Sequence, residues 1–134
     1  MKISSKGRYA VRILIDLATS NKEYSSLTEI SKRQNISVKY LEKIINILLK
    51  GKLVESMMGP NGGYKLTKKA NEYSVADVLI ITGDAPLLAP CQNTPNACPN
   101  KDNCISIGYW QTLQKLLFDN LNKITIQDII DKTY

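Results

Sequence analysis

Residues 26–66 read SLTEISKRQNISVKYLEKIINILLKGKLVESMMGPNGGYKL, and their punctuation decides the fold. Ser26 followed by Glu29 has the spacing of a capping box, which predicts a short helix over residues 26–34. Asn35 and Ile36 make a tight turn. Ser37 then caps a longer helix. Val38, Leu41, Ile44, Ile45, Leu48 and Leu49 recur at helical spacing and predict its buried side, and Gly51 ends it. Two helices joined by so short a turn make a helix-turn-helix, a pattern that many helical hairpins share. The remainder of the stretch sharpens it. LVESM, residues 53–57, predicts a strand; Gly59-Pro60-Asn61-Gly62-Gly63 is a tight turn; Tyr64-Lys65-Leu66 predicts a returning strand. A hairpin placed directly after a helix-turn-helix is a wing.

The polar side of the second helix carries Ser37, Lys39, Tyr40, Glu42 and Lys43. That set combines hydrogen-bonding groups suited to base edges with cations suited to phosphates. Glu42 repels phosphate but can accept from the cytosine amino group, so it is a candidate for selecting sequence. An ordinary solvated helix charge is the alternative. On the wing, Pro60, Asn61, Gly62 and Tyr64 join the candidate DNA-binding set.

Upstream, GRYAVRILIDLATS (7–20) predicts a helix, with Ala10, Ile13, Leu14, Leu17 and Ala18 at helical spacing. Lys6, Arg8 and Arg12 crowd its start, where the helix dipole does not favour cations. They either project into water or face phosphate; Lys2, Ser4, Lys6 and Arg8 are therefore further DNA-binding candidates. Charge supports that reading. Residues 1–69 carry 14 Lys/Arg against 5 Asp/Glu, a net of +9, whereas residues 70–134 carry 4 against 7, a net of −3. A basic half of this size suits a nucleic-acid surface.

Downstream, SVADVLIIT (74–82) predicts a helix opened by Ser74 and Asp77, with Gly83 beyond its end. A long loop over 84–103 follows, and loops of this length within a compact domain are commonly functional. Residues 105–122, ISIGYWQTLQKLLFDNLN, predict the longest helix, with an apolar face formed by Ile105, Trp110, Leu113, Leu116, Leu117, Phe118 and Leu121. A face this broad asks for a partner, and the same helix of a second subunit is the natural one; packing within one subunit is the alternative. Thr125 and Asp128 open a last helix over 125–132.

Residues 91–104, CQNTPNACPNKDNC, hold all three cysteines, Cys91, Cys98 and Cys104. Three thiols gathered in a Pro- and Asn-rich segment read as ligands for a metal or an iron–sulfur cluster. A thiol redox switch and a zinc-binding interaction module remain alternatives. The chain contains no histidine. It also lacks a Gly-rich phosphate loop and a visible nucleophile–base pair, so no enzyme is expected. No run of eighteen apolar residues exists and the N-terminus lacks an apolar signal core, so no membrane span and a cytoplasmic location are expected.

With these residues in view, the chain resembles the Rrf family of winged helix-turn-helix transcription regulators. The resemblance covers nearly the whole chain. It rests on MKISSKGRYAV at the start, ISVKYLEKI in the second helix, GPNGGYKL in the wing, the cysteine triplet followed by Trp110, and ITIQDI near the end. The pattern is most similar to the IscR branch, which regulates iron–sulfur cluster assembly; NsrR and CymR regulators are relatives. The resemblance implies a mainly α fold, with a DNA-binding domain over 1–83, a cluster-binding loop over 84–104 and a dimerisation helix with a C-terminal helix over 105–134. It implies a homodimeric repressor on double-stranded DNA, with cluster-assembly proteins as further candidate partners. Cys91, Cys98 and Cys104 would hold the cluster, [2Fe–2S] in preference to [4Fe–4S]. Redox or nitric-oxide sensing is the alternative within the family.

Two departures stand out. IscR regulators of the best-known type use a histidine three residues after the third cysteine, where this chain has Ile107, and NsrR regulators use an aspartate of the first helix, where this chain has Arg8 and Arg12. The fourth ligand is therefore unassigned, with Asp84, Asp102, Ser106, a small thiol or a partner-subunit group as candidates. Met57-Met58 also stand where the family often has an arginine ahead of the Gly-Pro, within reach of a minor groove.

Overall fold

Polar caps and apolar stripes divide the chain as its punctuation implies. The computed structural model describes residues 2–134, and every statement of absence below concerns those residues. Helix α1 (Ser5–Thr19) opens where the Ser4 side chain accepts a hydrogen bond from the Gly7 N–H, and it buries Ala10, Ile13, Leu14 and Leu17. Helix α2 (Leu27–Gln34) has both halves of the Ser26/Glu29 capping box, and Asn35 ends it in the left-handed conformation, φ 52°. Ser37 caps α3 (Val38–Lys50), which buries Leu41, Ile44, Ile45 and Leu48.

One expectation about α3 changes, while Gly51 does end the helix. Val38 is 45% exposed rather than buried. It sits in the first turn, where the Cα–Cβ bond leans towards the helix N-terminus and carries the side chain beyond the packed stripe. Gly51 is right-handed, φ −77°, and the left-handed residue is Lys52, φ 59°. Space favours glycine at position 51, because a Cβ there would lie 2.7 Å from Cδ1 of Ile81, which would have to shift.

The wing is an antiparallel pair, β1 (Val54–Met57) with β2 (Gly63–Leu66), in the register Val54↔Leu66 to Met57↔Gly63. Ser25 and Tyr64 exchange backbone hydrogen bonds of 3.0 and 2.8 Å, which tie β2 to the entrance of α2. Gly63 makes that approach possible: its φ is 144°, and a Cβ would lie 2.3 Å from the Ser25 carbonyl oxygen. The buried Tyr73 fastens the wing from beneath, its hydroxyl donating to the Leu53 carbonyl (2.9 Å) and accepting from the Lys68 N–H (2.8 Å).

Helix α4 (Val75–Ile81) begins at a Ser74/Asp77 capping box. The cysteine segment that follows contains two short 3-10 turns, Pro90–Gln92 and Lys101–Asn103. Helix α5 spans Ile107–Lys123, so Ile105 precedes it and is fully exposed instead of joining its apolar face. The backbone at Cys104 is extended, φ −81° and ψ 109°, which delays the helix. Helix α6 (Ile126–Asp131), capped by Thr125 and Asp128, returns to the core. The Ile126 N–H donates to the Tyr73 carbonyl (3.0 Å), the Val75 N–H donates to the Ile124 carbonyl (2.9 Å), and Ile126 is completely buried in the core shared by α1 and α3. No helix is long and apolar enough to cross a membrane.

Candidate nucleic-acid interface and cysteine loop

Packing of the α3 apolar stripe against α1 turns its other side outward. Ser37, Lys39, Glu42 and Lys43 are exposed, as are Asn46 and Lys50, which extend the same stripe by further helical turns. Sequence reasoning stopped at Lys43; the helical spacing that picks out Lys39 and Lys43 also picks out Asn46 and Lys50. Ser37 uses its hydroxyl as a cap, accepting from the Tyr40 N–H at 3.3 Å. Tyr40 is half-buried, its ring set edge-to-face against Tyr9. At the start of α1, Lys2 and Arg8 are exposed and Lys6 is half-buried. Ser4 is engaged inside the chain, since its hydroxyl donates to Asp84 Oδ2 at 2.6 Å while accepting from Gly7.

The wing tip is apolar and uncharged. Met58 is 94% exposed and Met57 45% exposed, with Pro60 and Asn61 beside them. Gly62 and Tyr64 are half-buried. Lys65 on β2 is held by Glu23 (3.1 Å) and Glu55 (3.3 Å) and lies over the Tyr24 ring, which raises its ammonium pKa.

A buried polar network sets how α2 lies on α1. The Asp16 carboxylate is 5% exposed and receives the Arg33 fork at 2.9 and 2.7 Å. Gln34 Nε2 adds a third bond at 2.8 Å, and Arg33 also donates to Ser25 at 2.9 Å. The hydrogen bonds to Asp16 push the Arg33 guanidinium pKa further up, against the opposing effect of burial. The sequence signal for this site was Asp16 itself, a carboxylate on the apolar side of α1, which requires a partner when buried. At the α2 cap, Lys22 and then the Ser26 N–H hold the Glu29 carboxyl down at about 2.

Cys91 lies in the first 3-10 turn, Cys98 between the turns and Cys104 just after the second; all three are half-buried free thiols. Cys104 Sγ is 3.3 Å from Ser106 Oγ, which also accepts from the Trp110 indole N–H at 3.2 Å. The Ser106 hydrogen bond holds the Cys104 thiol below its usual range and so favours the thiolate. Among the described residues no three Cys, Asp or Glu side chains converge as a metal-sized group. Of the candidate fourth ligands, Asp84 is taken by Ser4 (2.6 and 3.3 Å) and Thr82 (3.4 Å). Burial works to raise the Asp84 carboxyl, and the Ser4 hydrogen bonds outweigh it and hold the group below its ordinary range. The donor chemistry of the loop, three soft thiols, fits iron. The amide N and O of Gln92 in the loop have no hydrogen-bond partner within the chain. Helix α5 buries none of its residues: Leu113 and Leu117 are half-buried, Leu116 is 63% exposed and Trp110 39%.

Comparison with known proteins agrees with this geometry. The model of the Rrf2 family, described as an iron-dependent transcriptional regulator, matches residues 3–132. The chain is 38% identical over 132 residues to the HTH-type transcriptional regulator IscR of Pectobacterium atrosepticum, covering 98% of this chain and 80% of that one. It is 34% identical over 131 residues to protein rrf2 of Nitratidesulfovibrio vulgaris, covering 97% and 87%. Among solved structures, CymR, the global cysteine regulator of B. subtilis, superposes with a TM-score of 0.78 at 26% identity, covering all of this chain and 99% of that one. T. potens IscR superposes with a TM-score of 0.75 at 28% identity, covering all of this chain and 89% of the other. A winged helix-turn-helix, a basic outward face on α3 and a family match along nearly the full length lead to one assignment: this chain belongs to the Rrf2 family of DNA-binding transcriptional regulators and is not an enzyme.

Proposed function

We propose that this regulator binds double-stranded DNA as a homodimer and holds an iron–sulfur cluster, [2Fe–2S] in preference to [4Fe–4S], through Cys91, Cys98 and Cys104. Cluster status would set repression of genes for cluster assembly. The observation that supports this best is one thiol of the triplet joined to α5: Cys104 is linked through Ser106 to Trp110. When bound, such a cluster supplies an iron- and redox-responsive cross-link. The chain's own residues do the rest. Lys39 and Lys43 are placed for phosphates and Glu42 for a base edge. The apolar side of α5, with no residue buried in one chain, supports pairing with a second copy. A shift in the loop moves α5 through Ser106 and Trp110, and with it the spacing of two recognition helices across the dimer.

A second reading, thiol redox sensing without a cluster, draws on the Ser106 hydrogen bond that favours the Cys104 thiolate. Anaerobic purification followed by visible absorption, iron and acid-labile sulfide analysis separates the two. Coloured protein containing iron and sulfide is expected. Single Cys→Ala changes at 91, 98 and 104 should each abolish the colour with helical content retained. Colourless protein with reversible thiol oxidation favours the second reading, and stoichiometric zinc sinks both. A variant that keeps a full-strength cluster spectrum removes that cysteine from the ligand set.

A further inference from the structure

Tyr40 occupies the first turn of α3, the part of a recognition helix that reaches base edges. A tyrosine there reads sequence only if its ring is held in one orientation. Its ring is 5.8 Å from that of Tyr9 on α1, with the planes 74° apart, the edge-to-face arrangement that aromatic pairs favour. The same Tyr9 ring carries the Arg12 guanidinium 5.1 Å from its centre. Arg12 is fixed in turn at the helix-turn-helix corner: its Nε donates to Gln34 Oε1 at 3.2 Å, and its Nη2 donates to the Gln34 carbonyl. Gln34 is itself bonded to the buried Asp16 at 2.8 Å. Each group is thus oriented by the next, from a buried carboxylate out to a ring on the DNA-facing helix. Arg12 is exposed and basic, yet its fork points at Gln34, so its charge is not its whole role.

We infer that Tyr9 and Arg12 are positioning residues for base readout by Tyr40. They touch no base themselves; they hold the Tyr40 ring and so sharpen sequence discrimination, and Tyr9, being uncharged, does so without setting general DNA affinity. The inference rests on α3 being the base-reading helix.

The test is selection from a randomised duplex library by wild-type protein and by the Tyr9→Leu, Tyr9→Phe, Arg12→Gln and Tyr40→Ala variants. Affinities for the wild-type-selected duplex and for a random duplex are then measured. Leucine keeps the apolar contact of Tyr9 with the core while removing the ring. Tyr9→Leu should lower discrimination roughly two- to tenfold, the range of one aromatic pair. The loss should fall at the same base pairs that Tyr40→Ala blurs, while random-duplex affinity and the circular-dichroism spectrum stay unchanged. Tyr9→Phe should restore discrimination. Tyr9→Leu combined with Tyr40→Ala should lose no more than Tyr40→Ala alone. Wild-type discrimination in Tyr9→Leu, or additive losses in the double variant, would overturn the inference. Should Tyr9→Leu fail to fold, Arg12→Gln at the exposed end carries the same test, and unchanged discrimination there sinks the idea. A wild-type protein that enriches no sequence removes the α3 assignment, and the inference with it.

Discussion

At the scale of single residues, Asp84 does more than its sequence context suggests. It lies 80 positions from Ser4, yet it receives the Ser4 hydroxyl and N–H and so fastens the start of α1 to the entrance of the cysteine loop. Gly7 is part of the same device, since a Cβ there would lie 2.2 Å from Asp84 Oδ2. The Asp84 carboxyl titrates below its ordinary range when folded. Its contribution is therefore complete above the unfolded pKa and is lost as pH falls through the folded one. Asp84→Asn should cost about 1 kcal/mol at neutral pH, the charge-assisted part of these bonds. The gap from wild type should close as pH drops below about 4. Urea unfolding at neutral and acid pH measures this, and a gap that widens in acid would contradict it.

At the scale of elements, α5 is the one long helix without a buried residue, while the six-residue α6 beyond it is anchored in the core through Ile126. Helix α5 is thus held at its far end by Tyr73, Val75 and Ile126, with Leu116 exposed and Leu113 and Leu117 half-buried. Leu113→Asp together with Leu117→Asp should convert a dimer to a monomer whose α1–α4 unit still melts cooperatively. The reason is that a charge buried in an interface without a partner costs several kcal/mol. Sedimentation equilibrium gives the readout, and a well-folded dimer carrying both aspartates would place the interface elsewhere.

At the scale of the whole molecule, charge is concentrated where α1 and α3 present Lys2, Arg8, Lys39 and Lys43. DNA affinity should therefore fall steeply with salt, because each cation on a phosphate releases counterions. Lys39→Ala should weaken binding to every sequence and lower the salt slope by about 1. Glu42→Ala should instead change which duplex is selected while leaving the slope nearly unchanged. Titrations of selected and random duplexes at several salt concentrations distinguish these outcomes; an unaltered preference in Glu42→Ala would remove its part in base readout. The wing-tip turn, Met58 to Gly62, carries no charged side chain of its own and should add little to that slope.

Local signals carried most of the architecture. The capping residues Ser26, Ser37, Ser74 and Thr125, the Gly-Pro-Asn-Gly-Gly turn and the apolar spacing of α1 and α3 each act within a few residues, so their elements are legible in the chain. The basic polarity of the first half is likewise a property of composition. Only tertiary structure decided the long-range pairings: Asp16 with Arg33, Ser4 with Asp84, Gly51 against Ile81, and the return of α6 to Tyr73. It also decided that the exposed Arg12 fork bonds Gln34, where charge alone pointed to phosphate. Cysteine spacing names the thiols but does not bring their sulfurs together, since a loop built from 3-10 turns and extended residues has no period that aligns its side chains. Caps and stripes are read along the chain; a buried carboxylate or a crowded glycine is explained only by the neighbour that folding brings to it.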